Sequence, residues 1–348
     1  MNKINYFLSL GLGIFVLLTL CQLKTDTEKE KAIVKAIIQN ETDAYFAKDI
    51  DKVSTFMENI NGNRNLSLMS YFYSGLIDSV KDSSSIKSQV TITILYDNVS
   101  YDTMFTPANG FSCFIAGLGK TILFDTGEEP DILLHNMKQA NIDPDQIQYL
   151  VISHIHHDHI GGLMGETVWK NMETVFFPVK LDSLGDGSER MASLPVELFP
   201  HVFLKRVDSL PIGLFPHVFL TGVMPPVPAN IIHGKEQSLI IDTPQGLVLI
   251  TGCAHPGIVS ILKRAKEIVN RDIYLVLGGF HLFNQTDEQI KTVVDSFKSM
   301  GVRYVGPMHC TGDKAKAAFR EAYGDHYVEM GAGRKITLDK DGLLLFGH

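Results

Sequence analysis

Apolar positions repeat with two different periods along this chain, and the change from one to the other marks its elements. Val90–Tyr96 places β-branched residues at alternate positions, as a strand does. Residues 111–115 and 121–124 read as a hairpin around Gly117-Leu118-Gly119, closed by Asp125-Thr126-Gly127. A helical stripe follows over 130–140: Pro130 suits the first turn, and Ile132, Leu133, Met137 and Ala140 share one face. The unbroken apolar run Tyr149-Leu150-Val151-Ile152 has the pattern of a strand buried on both faces.

Further on, the chain repeats strand and then helix. Gly246–Thr251 is a strand, and a helix opened by Pro256 buries Ile258, Ile261, Leu262, Ala265 and Ile268. Residues 273–277 form the next strand. The helix after it starts at Thr286, with Gln289 in the capping-box position, and Gly301 stops it. A strand over 302–306 and an Ala-rich helix, Asp313–Tyr323, complete the series. Each of these strands leads into a histidine: His255, His281 and His309. Ligand sites in α/β sheets gather outside the C-terminal strand ends, so the three are expected on one edge.

Residues before 89 look different. A charged stretch over 25–61 carries a loose apolar stripe, Asn61-Gly62-Asn63 breaks it, and Asp82-Ser83-Ser84-Ser85 reads as a linker. We therefore expect 22–88 to be a helical spacer and linker. Lys3 precedes an apolar run over 6–20 that Cys21 closes, the layout of a secretory signal. Leu18-Thr19-Leu20-Cys21 resembles a bacterial lipobox, although Leu20 replaces the usual small residue. Residues 1–21 are thus expected to be a signal peptide or lipoprotein anchor, and the remainder exported, periplasmic or membrane-anchored, with no other membrane contact. One more irregularity is a repeat: Leu198-Phe199-Pro200-His201-Val202-Phe203-Leu204 recurs as Leu214-Phe215-Pro216-His217-Val218-Phe219-Leu220. Two short copies cannot make a solenoid, so a tandem duplication in a surface strand or loop is expected, with His201 and His217 outside any site.

Composition narrows the class. With 348 residues and 45% hydrophobic content, the chain can bury a large core, expected as one catalytic domain over 89–348. A net charge of −8 argues against a broad nucleic-acid surface and leaves a small-molecule substrate. Four cysteines, Cys21, Cys113, Cys253 and Cys310, are too few and scattered for a disulfide scaffold.

The chemistry concentrates after the 149–152 strand, in Ser153-His154-Ile155-His156-His157-Asp158-His159-Ile160-Gly161-Gly162. Imidazole and carboxylate are the usual ligands of Zn²⁺ and its first-row neighbours. In extended chain His154 and His156 point the same way; where the chain turns helical, Asp158 and His159 swing to another side, and His157 falls out of phase with both pairs. The pattern His154-x-His156-x-Asp158-His159 resembles the signature of the metallo-β-lactamase fold superfamily. Gly252-Cys253-Ala254-His255, Gly278-Gly279-Phe280-His281-Leu282 and His309-Cys310-Thr311-Gly312 resemble motifs of the dihydropterin-ribofuranosylaminobenzene-phosphate synthase-like family. So do Tyr96-Asp97-Asn98, Gly110-Phe111-Ser112, Asp125-Thr126-Gly127 and Gly331-Ala332-Gly333-Arg334-Lys335.

The resemblance, over roughly residues 90–340, implies an α/β fold, the four-layer αββα sandwich. It implies two zinc ions, with Mn²⁺ or Fe²⁺ sharing the same ligands: His154, His156 and His255 on the first, and Asp158, His159 and His309 on the second. Asp158 and His281 are the expected catalytic residues, His281 handling a proton or the substrate, and Asp125 orients a ligand histidine. Two positions stay open. Glu236 could be a ligand, a base or an exposed turn carboxylate. Cys253 could bind zinc as a thiolate or be a buried small residue, the second being preferred because His255 supplies a ligand two residues on. The implied function is a metal-dependent hydrolase of a small anionic or ester-like substrate, through a metal-activated water. A transferase of the pterin-phosphate synthase type and a non-catalytic metal-binding surface protein are the alternatives.

Overall fold

The computed structural model describes residues 89–165, 169, 171–178, 203–207, 209–227, 234–339 and 344–346. The expected signal or anchor segment, the 22–88 spacer and residues 198–202 of the repeat lie outside them. Among the described residues no helix is long and apolar enough to cross a membrane.

Two sheets carry the fold. The strands in chain order are β1 (Val90–Tyr96), β2 (Ser112–Ala116), β3 (Ile122–Phe124), β4 (Tyr149–Val151), β5 (Thr174–Phe177), β6 (Phe203–Arg206), β7 (Ile212–Phe215), β8 (Val218–Leu220), β9 (Leu239–Thr243), β10 (Gly246–Thr251), β11 (Ile273–Gly279), β12 (Tyr304–Met308), β13 (Lys335–Leu338) and β14 (Leu344–Phe346). The described residues form one sheet in the order β14-β13-β1-β2-β3-β4-β5-β6 and another in the order β12-β11-β10-β9-β8-β7. The predicted hairpin is present, with β2 antiparallel to β3, and every strand read from the apolar pattern is found within a few residues of its predicted ends.

Alternation along the strands explains the layers. Ile92, Ile94, Cys113, Ile115 and Phe124 from the first sheet meet Leu239, Ile241, Val248, Ile250 and Leu277 from the second in one core. The other face of the first sheet, through Leu95, Phe114, Leu123 and Leu150, packs on Leu133 and Met137 of helix α1 (Pro130–Gln139). A short helix, α2 (His157–Ile160), follows β4. The outer face of the second sheet, through Phe219, Ile240, Leu247, Leu249, Val276 and Val305, packs on α3 (Ile258–Val269), α4 (Asp287–Ser299) and α5 (Asp313–Tyr323). Helices outside two facing sheets are the expected αββα order. At the N-terminus of α4, the Thr286 side chain accepts from the Gln289 backbone and the Gln289 side chain returns the bond, as the sequence predicted.

The repeat departs from expectation. Its second copy is not a surface loop: Val218, Phe219 and Leu220 form β8, buried and paired on both sides, with β7 and β9. The alternate residues of β8 serve two different cores, Val218 and Leu220 the inner one and Phe219 the outer. A three-residue strand apolar at every position leaves no period by which to tell it from a loop segment. His217 sits in the β7–β8 turn at positive φ (67°), with its ring 3.9 Å from Asp242, away from the histidine cluster.

Strand directions decide where the loops go. Strand β1 is antiparallel to β2, β2 to β3, and β3 runs parallel to β4, so β1, β3 and β4 all end at the same edge. In the second sheet β10, β11 and β12 are mutually parallel. Each of these six strands runs directly into candidate residues: Asp97, Asp125, the 153–159 cluster, Cys253 to His255, His281 and His309.

Candidate metal centre

The two strand edges meet, and histidines far apart in sequence come together. The ring of His154 lies 4.6 Å from those of His156 and His255, centroid to centroid, and 4.1 Å from that of His159. His255 lies 4.8 Å from His156 and 4.6 Å from His281, and His159 lies 5.0 Å from His309. The donor atoms of Asp158, His159, Cys253 and His309 lie within 4.8 Å of one another, as do those of His154, Cys253 and His255. His154, His156, Asp158, His159, His255 and His309 are thus brought together, with Cys253 in place of His156 in the donor group of His154 and His255. His157, predicted out of phase, points away, 3.5 Å from Glu128 and partly exposed.

What surrounds the rings fixes their tautomers. Asp125 accepts from the Ser153 N–H at 2.7 Å and from the Ser153 hydroxyl at 2.6 Å, and its Oδ2 lies 2.7 Å from His159 Nδ1. Ionised carboxylate oxygens only accept, so His159 carries its proton on Nδ1. With its own proton committed to Asp125, the Ser153 hydroxyl accepts from His154 Nδ1, 2.9 Å away. His255 Nδ1 donates to Glu236 Oε2 at 2.9 Å, and His309 Nδ1 donates to Asn98 Oδ1 at 2.7 Å. Four imidazoles are therefore tethered at Nδ1 and turn an Nε2 lone pair inward, the arrangement by which outer partners prepare histidine for a metal.

The inward nitrogens then face one another. His154 Nε2 lies 3.1 Å from His156 Nδ1, and His159 Nε2 lies 3.3 Å from His309 Nε2. Asp158 Oδ2 adds a carboxylate 3.2 Å from His309 Nε2 and 3.7 Å from His159 Nε2. Lone pairs at these distances repel unless a cation lies among them, so the donor set fits divalent metal. Without one, a proton takes that place: burial opposes charge on His159, but Asp125 outweighs it and pushes the ring up to about 9. Burial and the neighbouring rings hold His154 well below the usual histidine range, and burial and then His255 bring His156 down to about 4. Burial would raise Asp158, but His309 and His159 prevail and keep it ionised.

Backbone geometry marks the same place. Among the described non-glycine residues, positive φ is found at Asp125 (54°), Ala254 (64°), His281 (52°) and His309 (47°), all at this centre, and at Asn141, His217 and Asn270 in turns. Such conformations cost about 1–3 kcal/mol each and concentrate where function requires them. Gly252 is needed for a different reason: a Cβ there would lie 2.1 Å from Ser153 Oγ, so only glycine lets β10 approach the first sheet.

Both open positions are buried. Glu236 is buried and is not an exposed turn carboxylate. Its Oε1 accepts from the N–H groups of Gly252, Cys253 and Ala254 at 3.1, 3.0 and 2.8 Å, and its Oε2 from the N–H of His255 at 2.9 Å as well as from the His255 ring. Both oxygens are thus engaged, and Glu236 holds the 252–255 loop and the His255 ring in place. Cys253 is buried as expected, but its Sγ lies 3.2 Å from His159 Nε2 and belongs to both donor groups.

Three further residues had no role assigned from sequence. Asn98 orients His309, Ser153 relays Asp125 to His154, and Asp97 accepts the His309 N–H at 2.8 Å. The available signal was strand direction, since Asp97 and Asn98 follow β1 at the same edge. Asp125 reaches two of the histidines, His159 directly and His154 through Ser153. Asp125→Ala is expected to lower metal affinity about 10–100-fold, read by competition with a chromophoric chelator. Equal affinity would mean that the tether does not set the ligand.

Comparison with known proteins agrees with this geometry. The family model described as the metallo-beta-lactamase superfamily matches residues 105–348. A 7,8-dihydropterin-6-methyl-4-(β-D-ribofuranosyl)-aminobenzene-5′-phosphate synthase from Methanocaldococcus jannaschii is 30% identical over 280 residues, covering 70% of this chain and 95% of that protein. An uncharacterised protein of the same organism is 31% identical over 257 residues, covering 69% of this chain and 98% of its own length. Among solved structures, a metal-dependent hydrolase of the β-lactamase superfamily superposes with a TM-score of 0.58 at 27% identity, covering 72% of this chain and 99% of that one. A metallo-β-lactamase fold protein from Bacillus subtilis shares the fold, with a TM-score of 0.50 at 11% identity over 72% of this chain and all of its own. Histidines presented by both sheets, the matched model and the archaeal relatives lead to one conclusion: the chain belongs to the metallo-β-lactamase superfamily and, within it, to the dihydropterin-ribofuranosylaminobenzene-phosphate synthase-like family.

Proposed function

We propose that the protein is a metal-dependent hydrolase of a small anionic or ester-like substrate. His154, His156 and His255 would hold one divalent ion, and Asp158, His159 and His309 a second; zinc suits this set, and Mn²⁺ or Fe²⁺ could use it. When bound, such ions lower the pKa of a water toward neutrality and polarise the bond to be cleaved. The chain's own residues do the rest. Asp125, Ser153, Glu236 and Asn98 hold the imidazoles in one tautomer, and Asp158 stays ionised at the mouth of the cluster. In this reading His281, its ring 4.6 Å from that of His255, would give a proton to the leaving group. The observation that carries this reading is the convergence of four tethered Nε2 lone pairs and one carboxylate on a single space.

The archaeal synthase supports a second reading, in which the same centre joins a dihydropterin to a ribofuranosylaminobenzene phosphate. A third would have the chain bind metal without turnover. The solved metal-dependent hydrolase, 27% identical, supports the first reading. The test is turnover of chromogenic phosphodiesters and esters by the full chain, which should cease on chelation and return with added Zn²⁺ or Mn²⁺. Condensation of the pterin pair without any hydrolysis would select the transferase. Failure of both reactions at every metal loading would leave only metal binding.

A further inference from the structure

We propose that Cys253, His281 and Cys310 form an additional metal site, at the rim of the histidine centre, that takes a thiophilic divalent cation. The donor atoms of the three lie within 4.8 Å of one another, a set distinct from the two used above except for the shared Cys253. Cys253 is buried while His281 and Cys310 are half-buried, so the site faces solvent on one side. The Nδ1 of His281 is buried and makes no hydrogen bond. Cys310 Sγ lies 3.6 Å from the Cys253 carbonyl, a weak interaction, and also meets the Cys253 thiol and the His281 ring. These three donors are close enough together to share one ion.

The backbone is built to keep them so. His281 sits at positive φ, and Cys310 follows His309, which does the same. Gly279 leaves room for the thiol: a Cβ there would lie 2.7 Å from Cys310 Sγ. Two sulfurs and an imidazole leave a fourth position open, and thiolate ligands select soft or borderline ions such as Cd²⁺ and Zn²⁺ over Mg²⁺ or Mn²⁺. Binding would release the remaining thiol protons to solvent. An ion here would also withdraw His281 from proton transfer, so the two uses of that ring alternate.

The experiment is a Cd²⁺ titration of the metal-depleted full-length chain, read as thiolate-to-cadmium charge-transfer absorption in the ultraviolet. Two thiolates should contribute, and Cys310→Ser should lose about half the absorption while retaining the ions held by histidine, since only the sulfur donors give this band. As a check that needs no variant, bound Cd²⁺ should protect Cys310 from alkylation, located by mass spectrometry. Unchanged absorption in Cys310→Ser, or alkylation of Cys310 at the same rate with and without Cd²⁺, would overturn the site. Failure of the hydrolase reading looks different: the wild-type chain would turn over none of the chromogenic esters at any metal loading, whatever Cys310→Ser does to the Cd²⁺ absorption.

Discussion

His159→Ala should lower turnover by about 10³-fold or more, the upper end of what loss of one electrostatic group costs an active site. The residue is a hub. Its Nδ1 is tied to Asp125 at 2.7 Å, while its Nε2 faces His309 at 3.3 Å and Cys253 at 3.2 Å. Alanine there removes a ligand, strands Asp125 with a buried charge, and opens a gap between the two sheets. Metal content should fall from two ions toward one, measured by elemental analysis on the purified chain. His157→Ala, two residues earlier and partly exposed, is the control and should leave both metal content and rate unchanged. A His159→Ala protein with both ions and near-normal turnover would dismantle the proposed centre.

Glu236→Ala should act mainly on stability. The buried carboxylate accepts four backbone N–H groups and one ring N–H, and all five donors would lose their partner together. Breaking a buried charged network by removing one member costs about 3–5 kcal/mol. At about 2–4 °C per kcal/mol for a domain of this size, the melting temperature should fall by on the order of 10 °C. Glu236→Gln keeps the shape and one accepting oxygen but turns an amide N–H₂ toward other donors, so it should fall in between. Thermal melting of the metal-depleted chain separates this loss from metal affinity. A Glu236→Ala protein that melts with the wild type would show that the loop is held by something else.

The fold was legible because its strands carry their own signatures. Alternation in Val90–Tyr96, the apolar run into Ser153 and the three strand–histidine–helix units are local patterns, and each is where the sequence put it. The ligand cluster was legible for the same reason, since His154 to His159 lie within one short stretch. What escaped were partners that act across distance. Gly234-Lys235-Glu236-Gln237 looks like any polar turn, and the groups Glu236 accepts from are mainly backbone amides 16 to 19 residues later, which leave no side-chain pattern. Asn98 and Asp97 escaped similarly, being 211 and 212 residues from the histidine they position. The β8 strand was mistaken for surface because Val218, Phe219 and Leu220 are apolar without alternation, and a duplicated segment suggested tolerance of change.

The separation between Asp97 and His309 also says something about how the molecule comes into being. A bond spanning 212 residues joins the end of β1 to the end of β12, and closing it ahead of local contacts would carry an entropic cost that those contacts avoid. The pocket is therefore expected to form late in assembly, which hydrogen exchange during refolding would check. Arrival of metal would act as a latch on a finished body, and its retention would report that the two halves have come to rest in register.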